Sequence, residues 1–128
     1  MNALDRALTI QRDAAGVGFD WPDIQGVLDK VLEEVQEIRD ALEQGDRTQA
    51  QSELGDLFFS AVNLARFLDK DPGEALDETS DRFEKRFDRV KQEVRQRGLE
   101  IQSCALRDLD ALWDEVKSQE RQALEKGG

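Results

Sequence analysis

The chain has 128 residues, enough for one small domain with a real core. Its formal net charge is −11 and it contains no histidine. A surface this acidic repels nucleic-acid backbones and anionic membranes, so neither is expected as a partner. Without histidine, the commonest zinc ligand and the usual general base are missing. Any catalysis must therefore rest on carboxylates, most simply on carboxylates holding a hard cation.

Tyrosine is absent, proline is scarce, and no stretch alternates β-branched residues, so an all-α reading follows. No apolar run approaches the ~20 residues that span a bilayer. The single Cys104 excludes an internal disulfide and fits a reducing, cytoplasmic setting; it reads as a small side chain without chemistry. The first helix is predicted near Leu4 to Ala15, ending at the glycine-bearing break "GVGFDWP". The second runs from about Pro22, in a first helical position, to Gln44, with Asp23 in its opening turn and Gly45 as its stop. The third spans about Arg47 to Leu68 and ends before the turn sequence "DKDPG". The fourth extends from about Pro72 to Arg97, before Gly98. A fifth covers about Leu106 to Leu124, with the charged tail expected to fray from about residue 119.

Short connections between long helices predict an antiparallel helical bundle, a single domain over residues 1–128. In the second helix Ile24, Val27, Leu28, Val31, Val35, Ile38 and Leu42 form one apolar face. The third is apolar over nearly half its circumference, from Leu54, Leu57 and Phe58 through Leu68, which suits a central helix or one packed on a second subunit. A homodimer is therefore expected.

Two features break the apolar pattern. Glu34 falls on the same face as Val27, Val31 and Ile38, so a carboxylate is aimed where the helix should be dry. On the third helix Glu53, Asp56, Ser60 and Asn63 form a polar line hemmed by Leu57, Leu64, Phe59 and Phe67. Antiparallel packing of these helices would bring Glu34 and Glu37 against Glu53 and Asp56. Two like charges 4 Å apart repel by about 4 kcal/mol at an effective dielectric of 20. Four such acids need protons or a divalent cation, and all-oxygen ligation selects Mg²⁺ or Mn²⁺ over zinc or copper. Against this stands the ordinary reading, that acids at i, i+3 recur by chance on the surface of so acidic a chain.

In the fourth helix Arg82 and Arg86 stand at i, i+4 beside the Phe83/Phe87 stripe and could grip phosphate oxygens. Surface ion pairing with neighbouring acids explains the same spacing equally well. Trp113 serves either as a core anchor or as a platform for a base. Trp21 reads as a packing residue at a helix start.

Taken in order, "GFDWPDI", "EEVQE", "ELGDLFFSAVNLAR", "RFEKRF" and "LWDEVK" resemble the MazG family of nucleoside triphosphate pyrophosphohydrolases. The resemblance covers nearly the whole chain and is nearest to the C-terminal half of two-domain members. The family signature E-x-x-E, spacer, E-x-x-D falls on Glu34, Glu37, Glu53 and Asp56. The resemblance implies an all-α dimer in which those four hold Mg²⁺, and hydrolysis of a nucleoside triphosphate to the monophosphate and pyrophosphate. It implies that Arg82 and Arg86 hold phosphate, and that Asn63 and Trp113 contact the nucleotide, Trp113 near the base or ribose. Ser80 stands where the family has an asparagine.

In the expected mechanism Glu37 or Glu53 takes the proton of a metal-bound water. Rival readings are a narrower dUTP or dCTP pyrophosphatase, or a helical dimer that senses nucleotides without cleaving them. A plain coiled coil predicts an unbroken apolar seam, which Glu34 and Glu53 interrupt. A di-iron bundle needs histidines that are absent.

Overall fold

The computed structural model describes residues 1–127. It is all-helical: α1 (Ala3–Gly16), α2 (Ile24–Glu43), α3 (Arg47–Phe67), α4 (Pro72–Gln96) and α5 (Leu106–Gly127), with a 3-10 turn at Ile101–Ser103. No strand occurs among the described residues.

Local chemistry sets the ends of these helices. α1 to α4 each open on an Asn or Asp whose side chain accepts a backbone N–H three residues on. The pairs are Asn2 with Asp5, Asp23 with Gly26, Asp46 with Gln49 and Asp71 with Glu74, at 2.9 to 3.2 Å. Asp23 is thus the cap of α2, which begins at Ile24, two residues after the expected start at Pro22. Gly45, at φ 73°, ends α2: its N–H reaches the Leu42 carbonyl, and the Asp46 N–H reaches Ala41. Asp46 then caps α3, so one residue closes a helix and opens the next. This tight turn sets α2 beside α3. Asp69 takes the left-handed position (φ 56°) at the end of α3, where glycine is more usual. The 3-10 turn was not legible in the sequence, and α5 stays helical past residue 119 to Gly127.

Contacts gather the chain into two compact units, Met1–Leu76 and the segment from Asp77 onward. In the first, α3 packs against both α1 and α2. Its buried apolar residues are Leu8, Val27, Ala41, Ala50 and Val62. In the second, Val90 and Val94 of α4 pack with Leu112 and Val116 of α5, and Ile101, Cys104, Leu109 and Trp113 close around them.

The broad apolar face read for α2 is only partly buried. Val27, Glu34 and Ala41, at two-turn intervals, form its buried line. Leu28, Val35 and Leu42 remain exposed, and Leu32 is 68% exposed. On α3, Leu54 and Leu68 are exposed and Phe58 is 60% exposed. A helix presents only one arc to one neighbour, and these residues lie off that arc.

Candidate metal centre and adjoining cavity

Glu34 occupies the middle of the buried α2 line, between Val27 and Ala41, and is 3% exposed. Its Oε1 accepts a salt bridge from Lys30, one turn earlier, at 3.0 Å. Its Oε2 is sealed from solvent without a hydrogen-bond partner. The carboxylate aimed into the dry face is therefore real, and one of its oxygens is unsatisfied. Such an orphaned buried acceptor is rare and asks for an explanation.

Glu37, one turn on, and Glu53 of α3 complete the group. One carboxylate oxygen from each of Glu34, Glu37 and Glu53 lies within 4.8 Å of the others. Gln49 Nε2 donates to Glu53 Oε1 at 2.7 Å and fixes that carboxylate. Crowding shows in the proton balance. Glu37 is pushed up to about 7, first by its hydrogen bond to Glu53, then by lost hydration and the negative charges of Glu34 and Glu53. Lys30 responds oppositely: its bond to Glu34 raises its pKa and keeps it charged. Three carboxylates, one of them with a sealed and unpartnered oxygen, form a hard donor set that fits Mg²⁺ or Mn²⁺.

Asp56 is not brought into this group. It is exposed. It carries one methylene fewer than glutamate, and three residues along a helix turn it about 60° from Glu53. The polar line of α3 divides here: Glu53 joins the acids, whereas Ser60 and Asn63 line a cavity of about 560 Å³.

That cavity lies in the first unit, walled by α1, α3 and the loop between α1 and α2. Phe19, Trp21 and Phe59 supply aromatic surface. Lys30 also lines it, so cavity and carboxylates share a wall. A polar brace holds the loop. Arg66 makes a two-pronged bond to Asp20 at 2.6 and 2.9 Å and also donates to Asn63 Oδ1 at 2.9 Å. The guanidinium holds the Asp20 carboxyl below its ordinary range. Trp21 lies so close over Gly26 that a Cβ there would stand 2.9 Å from the ring, which explains glycine inside α2. Gln11 of α1 is buried in the same wall and donates from Nε2 to the Phe59 carbonyl at 2.8 Å.

The second unit holds the remaining expected site residues. Arg82 donates to Thr79 at 3.1 Å, and Arg86 pairs with Glu120 of α5 at 2.9 Å. Surface pairing is thus what Arg86 does here. Trp113 packs against Phe83 at 5.1 Å between ring centroids, with the Arg86 guanidinium 5.9 Å from its ring, and touches the apolar cluster. Ser80 is exposed.

Gln11, Trp21 and Lys30 escaped the sequence reading as site residues. Gln11 had a signal: it continues the Leu4, Leu8 stripe of α1 as a polar residue, the same anomaly that marked Glu34. Lys30 stands four residues before Glu34, the spacing of a helical ion pair. Trp21 had none beyond its loop.

Residues 23–94 match the model of the MazG nucleotide pyrophosphohydrolase domain. The chain is 39% identical over 115 residues to the nucleoside triphosphate pyrophosphohydrolase/pyrophosphatase MazG of Thermotoga maritima, covering 90% of this chain and 44% of that protein. It is 42% identical over 120 residues to the nucleoside triphosphate pyrophosphohydrolase of Escherichia coli K12, covering 92% and 46%. A Bacillus subtilis protein, YabN, is 40% identical over 73 residues, 57% of this chain and 15% of that one. The chain thus spans a little under half the length of the first two relatives. With the domain match covering both acidic pairs and the Arg82/Arg86 segment, the chain belongs to the MazG family.

Proposed function

We propose that the protein hydrolyses ribo- and deoxyribonucleoside triphosphates to the monophosphate and pyrophosphate, in a Mg²⁺-dependent reaction that Mn²⁺ also supports. Broad base acceptance and a house-cleaning role in the cytoplasmic nucleotide pool complete the proposal. The observation that carries it is the triad Glu34, Glu37 and Glu53, with oxygens within 4.8 Å and the sealed Oε2 of Glu34 unpartnered. The activity itself is the one named for the Thermotoga maritima and Escherichia coli relatives.

In this reading Glu34, Glu37 and Glu53 hold the cation, and Asp56 joins them by turning inward. When bound, the cation neutralises triphosphate charge and acidifies a water molecule. Either Glu37 or Glu53 takes the proton of the attacking water. Arg82 and Arg86 bind phosphate oxygens, Arg86 after release from Glu120. Asn63 and Trp113 contact the nucleoside. Residues 1–128 act as a single functional domain, and an antiparallel bundle is completed by a homodimer that covers Leu32, Leu54 and Phe58. No helix among the described residues is long and apolar enough to cross a membrane.

The test is pyrophosphate release from a panel of ribo- and deoxyribonucleoside triphosphates with and without Mg²⁺. Glu53→Ala should lower turnover at least 100-fold with unchanged far-UV helicity. Near-normal release by that variant refutes the assignment. Activity confined to dUTP or dCTP selects the narrower enzyme, and binding without release selects a nucleotide sensor.

A further inference from the structure

We infer that the cavity walled by α1 and α3 holds the nucleobase of the substrate, and that Gln11 is the residue that reads it. The inference rests on the proposed activity and adds where the base lies and which group selects it.

Position is the first argument. Lys30 borders the cavity and bonds to Glu34, so whatever fills the cavity lies next to the carboxylates. Along α3, Glu53 and Ser60 are seven residues apart, about 10 Å on the helix axis. That is a span of nucleotide scale, with its phosphate end at the acids and its other end among Phe19, Trp21 and Phe59. Flat aromatic surface of this kind accepts any base by stacking.

Gln11 supplies the second argument. It is 5% exposed, and its Oε1 is sealed from solvent with no hydrogen-bond partner. The amide cannot be turned round, because its Nε2 donates to the Phe59 carbonyl, an acceptor only. An acceptor is therefore held in the cavity wall, and it lacks a donor. Asn63 is fixed in the opposite sense: Arg66 claims its Oδ1, which leaves Nδ2 as the donor available to the cavity. One fixed acceptor and one fixed donor are the complement of a base's Watson–Crick edge, where every natural base carries an N–H. The pair predicts tolerance among the four natural bases and rejection of bases without that N–H.

The experiment measures Mg²⁺-dependent binding of non-hydrolysable α,β-imido triphosphates in two matched pairs. One pair is adenosine and purine riboside; the other is cytidine and its 4-deamino analogue. The second member of each lacks the exocyclic amino group. The wild-type protein should prefer the amino-bearing member about 10- to 100-fold, the range expected when a buried acceptor loses its donor. Gln11→Leu should reduce that preference to within about twofold while leaving inorganic tripolyphosphate binding unchanged. Equal binding of both members of both pairs by the wild type overturns the inference, and that comparison needs no variant. So does a Gln11→Leu protein that weakens every ligand equally, the mark of a role in tying α1 to α3. Absence of pyrophosphate release from all triphosphates sinks the proposed activity instead, and the binding ratios are read independently of it.

Discussion

Magnesium binding should release a proton from Glu37, in an amount set by pH. Glu37 is held at about 7, so its carboxyl is about nine-tenths protonated at pH 6, half at pH 7 and one-tenth at pH 8. A divalent cation requires the ionised form, so that proton must leave as the ion arrives. Apparent Mg²⁺ affinity should accordingly rise about tenfold per pH unit below 7 and level off above it. Isothermal titration calorimetry at pH 6, in buffers of different ionisation enthalpy, measures the released proton as the slope of observed heat against buffer enthalpy. Glu37→Gln, which cannot ionise, should bind more weakly with affinity independent of pH across this range. A slope of zero at pH 6 in the wild type, or an unchanged slope in Glu37→Gln, would refute a protonated Glu37. Proton release at pH 8 as large as at pH 6 would count against it equally.

Other consequences can be checked on the metal-free protein and on its turns. An unfolded Glu37 ionises near 4.5, whereas the folded one keeps its proton to about 7. Between those values the unfolded state binds fewer protons, so thermal stability without metal should fall as pH rises from about 4.5 to 7 and then level off. Saturating Mg²⁺ or Glu37→Gln should remove that fall; a melting temperature rising through the window contradicts it. Gly45→Ala places a Cβ at φ 73° and should cost about 1–2 kcal/mol, read as a lower urea midpoint with an unchanged slope. Mg²⁺ affinity of the folded variant should be retained, because the turn touches none of the three acids. Glu120→Gln releases Arg86 and should lower the KM for triphosphates about two- to fivefold at low ionic strength, an advantage that salt erases. A KM insensitive to this change removes Arg86 from the phosphate site.

Much of the helical framework was legible because its signals are local. Asp46 and Gly45 mark the turn between α2 and α3 by chemistry confined to a few residues, and the apolar periods of both helices are long. Glu34 was legible for a different reason: a carboxylate on an apolar face is costly enough to demand an explanation. Gln11 breaks its own stripe in the same way, yet a neutral amide carries a smaller desolvation cost and drew no notice. Asp56 shows the converse limit. Sequence spacing fixes a direction around the helix, but whether the side chain reaches its neighbours depends on length and rotamer, which spacing does not encode. Trp21, read as a packing residue at a helix start, lies over Gly26 and also walls the cavity. Its partners, Gly26 beneath it and the loop braced by Asp20 and Arg66, come from segments up to 46 residues apart.

The apolar stripe of α2 contains the most instructive mismatch. Seven residues shared one face on the wheel, yet only the line through Val27, Glu34 and Ala41 is buried. An isolated hairpin would gain nothing from leaving Leu32 and Phe58 in water, where each forgoes roughly 1.5–3 kcal/mol of burial. In the proposed dimer the stripe would serve two neighbours, α3 on one flank and the second subunit on the other. On that argument Leu32→Glu should leave α2 and Mg²⁺ binding at the three acids intact while shifting the protein to monomer in sedimentation equilibrium. A variant that remains dimeric would move the interface elsewhere and leave the exposed flank of α2 without a function.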